Sequence, residues 1–135
     1  YLSLIEATAY GTRIIMDTFE ESDVKINNML ACGGIAKKNP FLMQVYADVC
    51  GMPIRVMESS EAAARGSCLL AALGAGCFPS AKEAAKVLGD RVHATYTPKA
   101  ENTRAYEELY REYVRLGEYF AKENGVMRRL GDVAR

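Results

Sequence analysis

Two adjacent glycines, Gly33 and Gly34, follow a short apolar run and stand a few residues before Pro40. Because glycine lacks a Cβ atom, either residue can adopt a positive φ and can let another molecule approach the backbone closely. Asn39 is a favoured N-cap residue and proline is favoured at the first helical position, so a helix is predicted to begin at Pro40. A strand, a glycine turn and a capped helix N-terminus together present backbone N–H groups and a positive dipole, which suit a nucleotide or another anion.

The glycine pair also has a second interpretation, and no catalytic set accompanies it. A glycine pair after a strand forms a plain tight turn at least as often as a binding site, so the spacing leaves both open. Phosphoryl transfer needs a phosphate cradle, metal ligands and a group that deprotonates the nucleophile, and the sequence contains neither a Walker-type loop nor such a set. Asp48, predicted late in a helix, either has a tertiary partner or, as we favour, is a solvated or cap-bonding carboxylate. No catalytic residue and no metal ligand is assigned.

The composition narrows the class of protein. Seventeen basic residues balance seventeen acidic ones and half of the chain is hydrophobic, which is typical of a globular domain rather than a nucleic-acid-binding or membrane-surface protein. No apolar run is long enough to span a bilayer, and the start inside a helical pattern suggests a segment of a longer protein. The single histidine, His93, is expected on an exposed strand rather than in a zinc site or a catalytic triad. Four dispersed cysteines in apolar surroundings indicate a reducing cytoplasm: Cys32, Cys50, Cys68 and Cys77.

The stretches around the glycine pair predict alternating helices and strands. Residues 4–19 predict a helix whose buried face carries Leu4, Ala7, Gly11, Ile15 and Thr18. Residues 25–32 predict a strand that ends at the glycines, residues 40–50 a helix stopped by Gly51, and residues 54–57 a second strand. A strand, helix and strand of this length imply a parallel pair joined by a right-handed crossover.

The second half continues this alternation. Residues 61–76 predict a helix of small residues that lies close to the sheet, with Gly66 in a packing contact. The remaining predicted elements are a helix over 80–88 capped by Ser80, an extended segment over 91–97, a helix with an aromatic packing stripe over 101–122 and a frayed tail over 126–135. Because only two strands would form the sheet, its exposed edges are expected to favour self-association.

Several of these stretches resemble one family. Residues 33–44 read GGIAKKNPFLMQ and are followed by YADV at 46–49. Together with the segments 4–13, 52–56 and 64–67, they are similar in content and order to the C-terminal domain of the FGGY carbohydrate kinases. The resemblance covers nearly the whole chain. It departs at one place, where the family usually has Leu-Gly-Ala-Ala and this chain has Arg65-Gly66-Ser67-Cys68.

The resemblance implies a fold and a site. Residues 1–135 would form the C-terminal portion of the second of two actin-like, ribonuclease H-like ATPase domains, an α/β fold with short parallel strands flanked by helices. The phosphate loops, the Mg²⁺ environment and the catalytic aspartate would precede the matched region, so this portion would be inactive alone. The implied nucleotide contacts are Gly33 and Gly34 beside the ribose and α-phosphate, Ile35 and Asn39 toward the adenine, and Lys37 between them, with Lys38 as a weaker candidate.

The resemblance also implies an activity for the intact protein. This is transfer of the γ-phosphate of ATP to a ketopentose, and the run AKKNP at 36–40 favours L-ribulose over xylulose or D-ribulose. The expected partners are ATP or ADP with Mg²⁺, a sugar bound mainly outside this chain, and a second copy of the chain, with no nucleic acid and no membrane. The alternative from another class is a packing or assembly module whose glycine turn binds nothing.

Overall fold

Within residues 1–123 and 125–133, which the computed structural model describes, the chain forms seven α-helices, three strands and one π-helical turn. In chain order these are α1 (Leu2–Glu21), β1 (Met29–Ala31), α2 (Gly34–Lys38), α3 (Pro40–Cys50), β2 (Ile54–Met57), α4 (Ala62–Gly74), α5 (Ala81–Leu88), β3 (Val92–Tyr96), α6 (Ala100–Glu118), the π-helical turn Tyr119–Glu123 and α7 (Val126–Val133). Helices α2 and α7 were not predicted. Most other elements lie where the sequence predicted them, although they begin or end at different residues.

The strands form one mixed sheet in the order β1, β2, β3. Strands β1 and β2 are parallel, with Met29 opposite Ile54, as the crossover argument predicted. Strand β3 runs antiparallel to β2, with Tyr96 opposite Ile54. The prediction of only two strands was therefore wrong, because the extended segment pairs with β2 and makes β2 the central strand. The open edges of the described sheet belong to β1 and β3.

Helix α3 lies between two apolar clusters and belongs to both. One face packs with the sheet and α2, in a cluster of Ala36, Met43, Ala47, Ile54 and Val56. The other face packs against α1 and α6, in a cluster of Ile5, Ala9, Tyr10, Val45, Val49 and Tyr110. Burying one such aliphatic side chain stabilises the fold by about 2 kcal/mol. Because α3 follows directly after α2, this packing fixes where the glycine turn lies.

The buried face of α1 is not the predicted one. Leu4 is 72% exposed and Ile15 is 59% exposed, whereas Ile5 and Tyr10 are buried. The Tyr10 ring lies 5.1 to 6.3 Å from three tyrosine rings of α6, those of Tyr106, Tyr110 and Tyr113. Such aromatic pairs stabilise beyond the area that they bury, so they select the face that carries Tyr10. They also confirm the packing role predicted for the stripe over residues 101–122 at these three tyrosines, whereas its other two members, Leu109 and Phe120, are exposed.

Helix α4 does not lie against the sheet as predicted. None of its residues is buried, and a Cβ atom added at Gly66 would meet nothing within 4 Å. Helix α4 instead packs against α5. The packing role predicted for Gly66 is therefore wrong for the described part of the chain.

The predicted frayed tail is largely helical in the structure. Residues 126–133 form α7, in which no residue is buried, and residues 134–135 lie outside the described part. The fraying itself stays a prediction. Among the described residues, no helix combines the length and the apolar character needed to cross a bilayer.

Asp48 is buried rather than solvated, and it has the tertiary partners that were the less favoured alternative. Its side chain is 2% exposed and accepts three hydrogen bonds. Oδ1 accepts from the backbone N–H of Lys99 at 2.7 Å and from Nε2 of Gln44 at 2.8 Å, and Oδ2 accepts from Nδ2 of Asn102 at 2.7 Å. Three donors offset the cost of removing a carboxylate from water. Asp48 therefore joins α3 to the start of α6, at the N-terminus where a negative charge is favourable.

Candidate nucleotide-binding site

The glycine turn lies at the carboxyl ends of two parallel strands. Strand β1 ends at Ala31, directly opposite Val56 of β2, so the segments that follow both strands leave the same edge of the sheet. In α/β folds with parallel strands, ligands bind in the crevice outside this edge. The turn and the segment beginning at Glu58 therefore form one candidate site.

Gly33 has the conformation that only glycine adopts readily. Its φ is 95° and its ψ is 167°, and it is the N-cap of α2. Its carbonyl accepts the first hydrogen bond of that helix, from the N–H of Lys37 at 3.3 Å. The expected helix at Pro40 is therefore preceded by a second, short helix that begins at Gly34. A helix of five residues is too short for a periodic signal, so the sequence did not reveal it.

Gly34 has a different role, because its backbone does not require glycine. Its φ lies outside the positive range, and a Cβ atom added there would meet nothing within 4 Å. A helical glycine costs about 1 kcal/mol relative to alanine, and neither strain nor crowding within the described chain offsets that cost. The space beside the backbone of Gly34 is therefore open within the described chain.

Helix α2 has a buried and an exposed side. Ala36 is buried in the cluster with Met43 and Ile54 and anchors the helix to the sheet. Ile35 is 73% exposed, and the side chain of Lys38 is exposed as well. An apolar side chain at the rim of the crevice can pack against a flat ring such as a base.

Asn39 is a helix cap, as predicted. Its Oδ1 accepts a hydrogen bond from the N–H of Leu42 at 3.0 Å, and Pro40 occupies the first helical position of α3. The cap fixes the side chain because the oxygen is engaged within the protein. The NH₂ group of Asn39 and the second lone pair of its oxygen can still serve a ligand.

Lys37 contacts the protein rather than projecting freely into the crevice. Its Nζ donates to the backbone carbonyl of Glu58 at 2.9 Å and forms an ion pair with the carboxylate of the same residue. The other carboxylate oxygen of Glu58 lies 2.7 Å from Nδ1 of His93, which is exposed on β3 as predicted. Hydrogen bonds from Lys37 and then His93 hold the pKa of Glu58 below its usual value. Glu58 was not among the site residues predicted from the sequence. Its position just after a parallel strand could have identified it as a candidate.

A cavity of about 1000 Å³ lies elsewhere, between α1 and the end of α6. Two pairs of its polar groups bridge the helices: Arg13 Nη2 lies 2.5 Å from Glu107 Oε2, and the hydroxyl of Tyr110 donates to Asp17 at 2.5 Å. The hydrogen bond from Arg13 lowers the pKa of Glu107. Burial, followed by the hydrogen bond to Asp17, raises the pKa of Tyr110. These pairs stabilise the contact between the helices and leave the glycine turn as the better candidate.

No catalytic set stands beside the turn. Among the described side chains, no three of His, Cys, Asp or Glu come together as metal ligands. Burial raises the pKa of the Cys50 thiol to about 11, so this group is protonated at neutral pH and is a poor nucleophile.

The fold resembles that of solved sugar kinases. The chain superposes on the xylulose kinase of Rhodospirillum rubrum with a TM-score of 0.73 and 22% identity, over 87% of this chain and 24% of that protein. It superposes on the glycerol kinase of Plasmodium falciparum, solved with ADP, with a TM-score of 0.66 and 21% identity, over 83% of this chain and 22% of that protein. The chain thus has the actin-like α/β fold of these kinases, with a mixed rather than purely parallel sheet.

Residues 1–75 match the sequence profile of the C-terminal domain of the FGGY family of carbohydrate kinases. The chain belongs to this family. Curated relatives include the ribulokinases of Bacillus licheniformis, at 49% identity, and of Mycolicibacterium smegmatis, at 42% identity, each over 96% of this chain. The chain spans about a quarter of the length of these relatives, 24% and 23% respectively.

Proposed function

We propose that this chain is the nucleotide-binding C-terminal portion of an ATP-dependent kinase that phosphorylates a ketopentose, with L-ribulose as the sugar. The family supports kinase activity, and the ribulokinase relatives support the choice of sugar. The observation that carries the nucleotide assignment is the open space beside Gly34, at the carboxyl edge of the parallel pair. ATP supplies the phosphoryl group that is transferred.

Within this proposal, Gly33 and Gly34 contact the ribose and α-phosphate, and Ile35 and Asn39 face the adenine. The exposed side chain of Ile35 and the NH₂ group of Asn39 suit this role. The ion pair of Lys37 with Glu58 argues against a direct phosphate contact by Lys37 and for a structural role.

The rest of the intact enzyme completes the site in this proposal. It holds the Mg²⁺ ligands, the γ-phosphate loops, the catalytic base and most of the sugar contacts, so the 135 residues do not catalyse alone. The four free thiols accord with a cytoplasmic location. The open edges of β1 and β3 are consistent with self-association.

Titration with ADP tests the nucleotide assignment against a packing module. We expect the backbone amide resonances of Gly34 and Asn39 to shift as ADP is added to the intact enzyme. Resonances of α5, which packs on α4 rather than on α2, serve as the control and should stay in place. Saturable binding of ADP with no shift at the turn would contradict the assignment.

A panel of sugars tests the substrate. With ATP in excess, we expect the intact enzyme to give its highest kcat/KM with L-ribulose and lower values with D-ribulose and xylulose. Glycerol and a hexulose serve as controls for the wider family. Activity on glycerol or the hexulose alone would refute the pentulose assignment.

A further inference from the structure

Glu58 is the residue that links the end of β2 to both α2 and β3. We propose that Glu58 is a positioning residue for the nucleotide turn, which it holds through Lys37. This inference rests on the proposed function, because it concerns how the turn that binds nucleotide is kept in place.

Helix α2 is too short to be stable as an isolated element. The helix has five residues, whereas isolated helices shorter than about 12 residues are unstable in water. It therefore depends on contacts with the rest of the fold. On its buried side that contact is Ala36, and on its partly exposed side it is the contact of Lys37 with Glu58.

Glu58 is itself held in place by the sheet. Its N–H donates to the carbonyl of Arg91 at 2.8 Å, and its carboxylate also contacts His93 on β3. The carboxylate that receives Lys37 is therefore fixed by the adjacent strand. Lys37 joins α2 to this point by two contacts, one to the carbonyl and one to the carboxylate of Glu58.

The ammonium group of Lys37 already has partners within the protein. A lysine that neutralised a phosphate directly would be most effective without a competing carboxylate. Here the carboxylate of Glu58 already neutralises the ammonium group, and removing it would leave Lys37 its bond to the backbone carbonyl of residue 58 while making its charge available to a phosphate. The two roles for Lys37 therefore predict opposite effects of a change at Glu58.

A double-mutant cycle in the intact enzyme distinguishes these roles. We expect Lys37→Met and Glu58→Ala each to raise the KM for ATP by about fivefold, the range of a partly exposed ion pair. The KM for sugar should stay constant, and the double variant should be no worse than either single variant. The exchange Lys37→Glu with Glu58→Lys re-forms only the charge pair and loses the bond to the carbonyl of residue 58 and the contact with His93, so it should restore only part of the affinity.

The control variant is Glu83→Gln, which removes an exposed ion pair with Lys86 on α5 and should leave the KM for ATP unchanged. An unchanged or lower KM for ATP in Glu58→Ala, with a raised KM in Lys37→Met, would overturn the inference and make Lys37 a direct ligand. Additive effects in the double variant would overturn it as well.

A measurement without nucleotide separates this inference from the proposed function. Hydrogen exchange at the amides of Lys37 and Asn39, which bond to Gly33 and Ile35, should quicken in Glu58→Ala. Unchanged exchange would refute the positioning role. If exchange quickens but Gly34→Val leaves ATP affinity intact, the nucleotide assignment fails and Glu58 positions a turn with another use. If Gly34→Val weakens ATP binding and the cycle is additive, only the positioning role fails.

Discussion

Replacing Gly34 with valine in the intact kinase should weaken ATP binding by about tenfold or more while the KM for sugar changes little. The valine side chain would fill the space beside the backbone that we assign to the ribose and α-phosphate. Because a Cβ atom at Gly34 meets nothing within 4 Å and the φ is not positive, the protein itself should accommodate the substitution. The measurement is the KM for ATP, or the Kd for ADP, together with the melting temperature of the same variant.

Gly33→Ala is the matched control for this experiment. The φ of 95° at Gly33 is strained for any other residue, so we expect this variant to lose about 1 to 3 kcal/mol of stability. Gly34→Ala should keep or slightly raise the melting temperature, since alanine is the better helix former. Normal ATP affinity in a folded Gly34→Val enzyme would contradict the proposed site, and a large fall in its melting temperature would show that Gly34 has a structural role.

Replacing Asp48 with alanine should cause the largest loss of stability, about 3 kcal/mol. The change leaves three donors without their acceptor at a position that is 2% exposed: Lys99 N, Gln44 Nε2 and Asn102 Nδ2. The contact between α3 and the start of α6 would weaken. The melting temperature and hydrogen exchange at the first turn of α6 measure the effect.

Asp48→Asn is the control that separates hydrogen bonding from charge. The oxygen of the introduced amide keeps two acceptor bonds, and Asn102 can turn its own amide to accept from the new NH₂ group. We therefore expect a loss well below that of Asp48→Ala. An equal loss in both variants would indicate that the negative charge at the N-terminus of α6 is the main contribution. A negligible loss in Asp48→Ala would refute the structural role of the network.

The sequence alone predicted the local features of the site. The cap at Asn39, the proline that starts α3 and the left-handed stop at Gly51 were all confirmed. These features depend on backbone and side-chain interactions within about four residues, so local residue types determine them. The parallel pairing of β1 and β2 was also predictable, because a single short crossover helix leaves few alternatives. The family resemblance added the class of fold, which the comparisons confirmed.

The sequence-based predictions were wrong where two packing arrangements of the same helix had similar local residue patterns. Helix α1 carries apolar residues on more than one face, and periodicity favoured the face of Leu4 and Ile15 over that of Ile5 and Tyr10. The choice depended on tyrosines of α6 that lie about a hundred residues later in the chain. Helix α4 likewise has the composition of a buried helix but no partner at Gly66 in the described chain.

The sequence by itself thus determined the turn, its caps and the parallel strands that place it at a sheet edge. Only the tertiary structure decided which side chains meet there. Glu58 is 21 residues from Lys37 and 35 from His93, and Asp48 is 51 residues from Lys99. A single sequence does not reveal which charged side chains at such separations will pair, because many pairings are equally compatible with their residue types. Packing of α3 between the sheet and the helices α1 and α6 selects one arrangement, since it alone buries both apolar faces of α3 and satisfies Asp48.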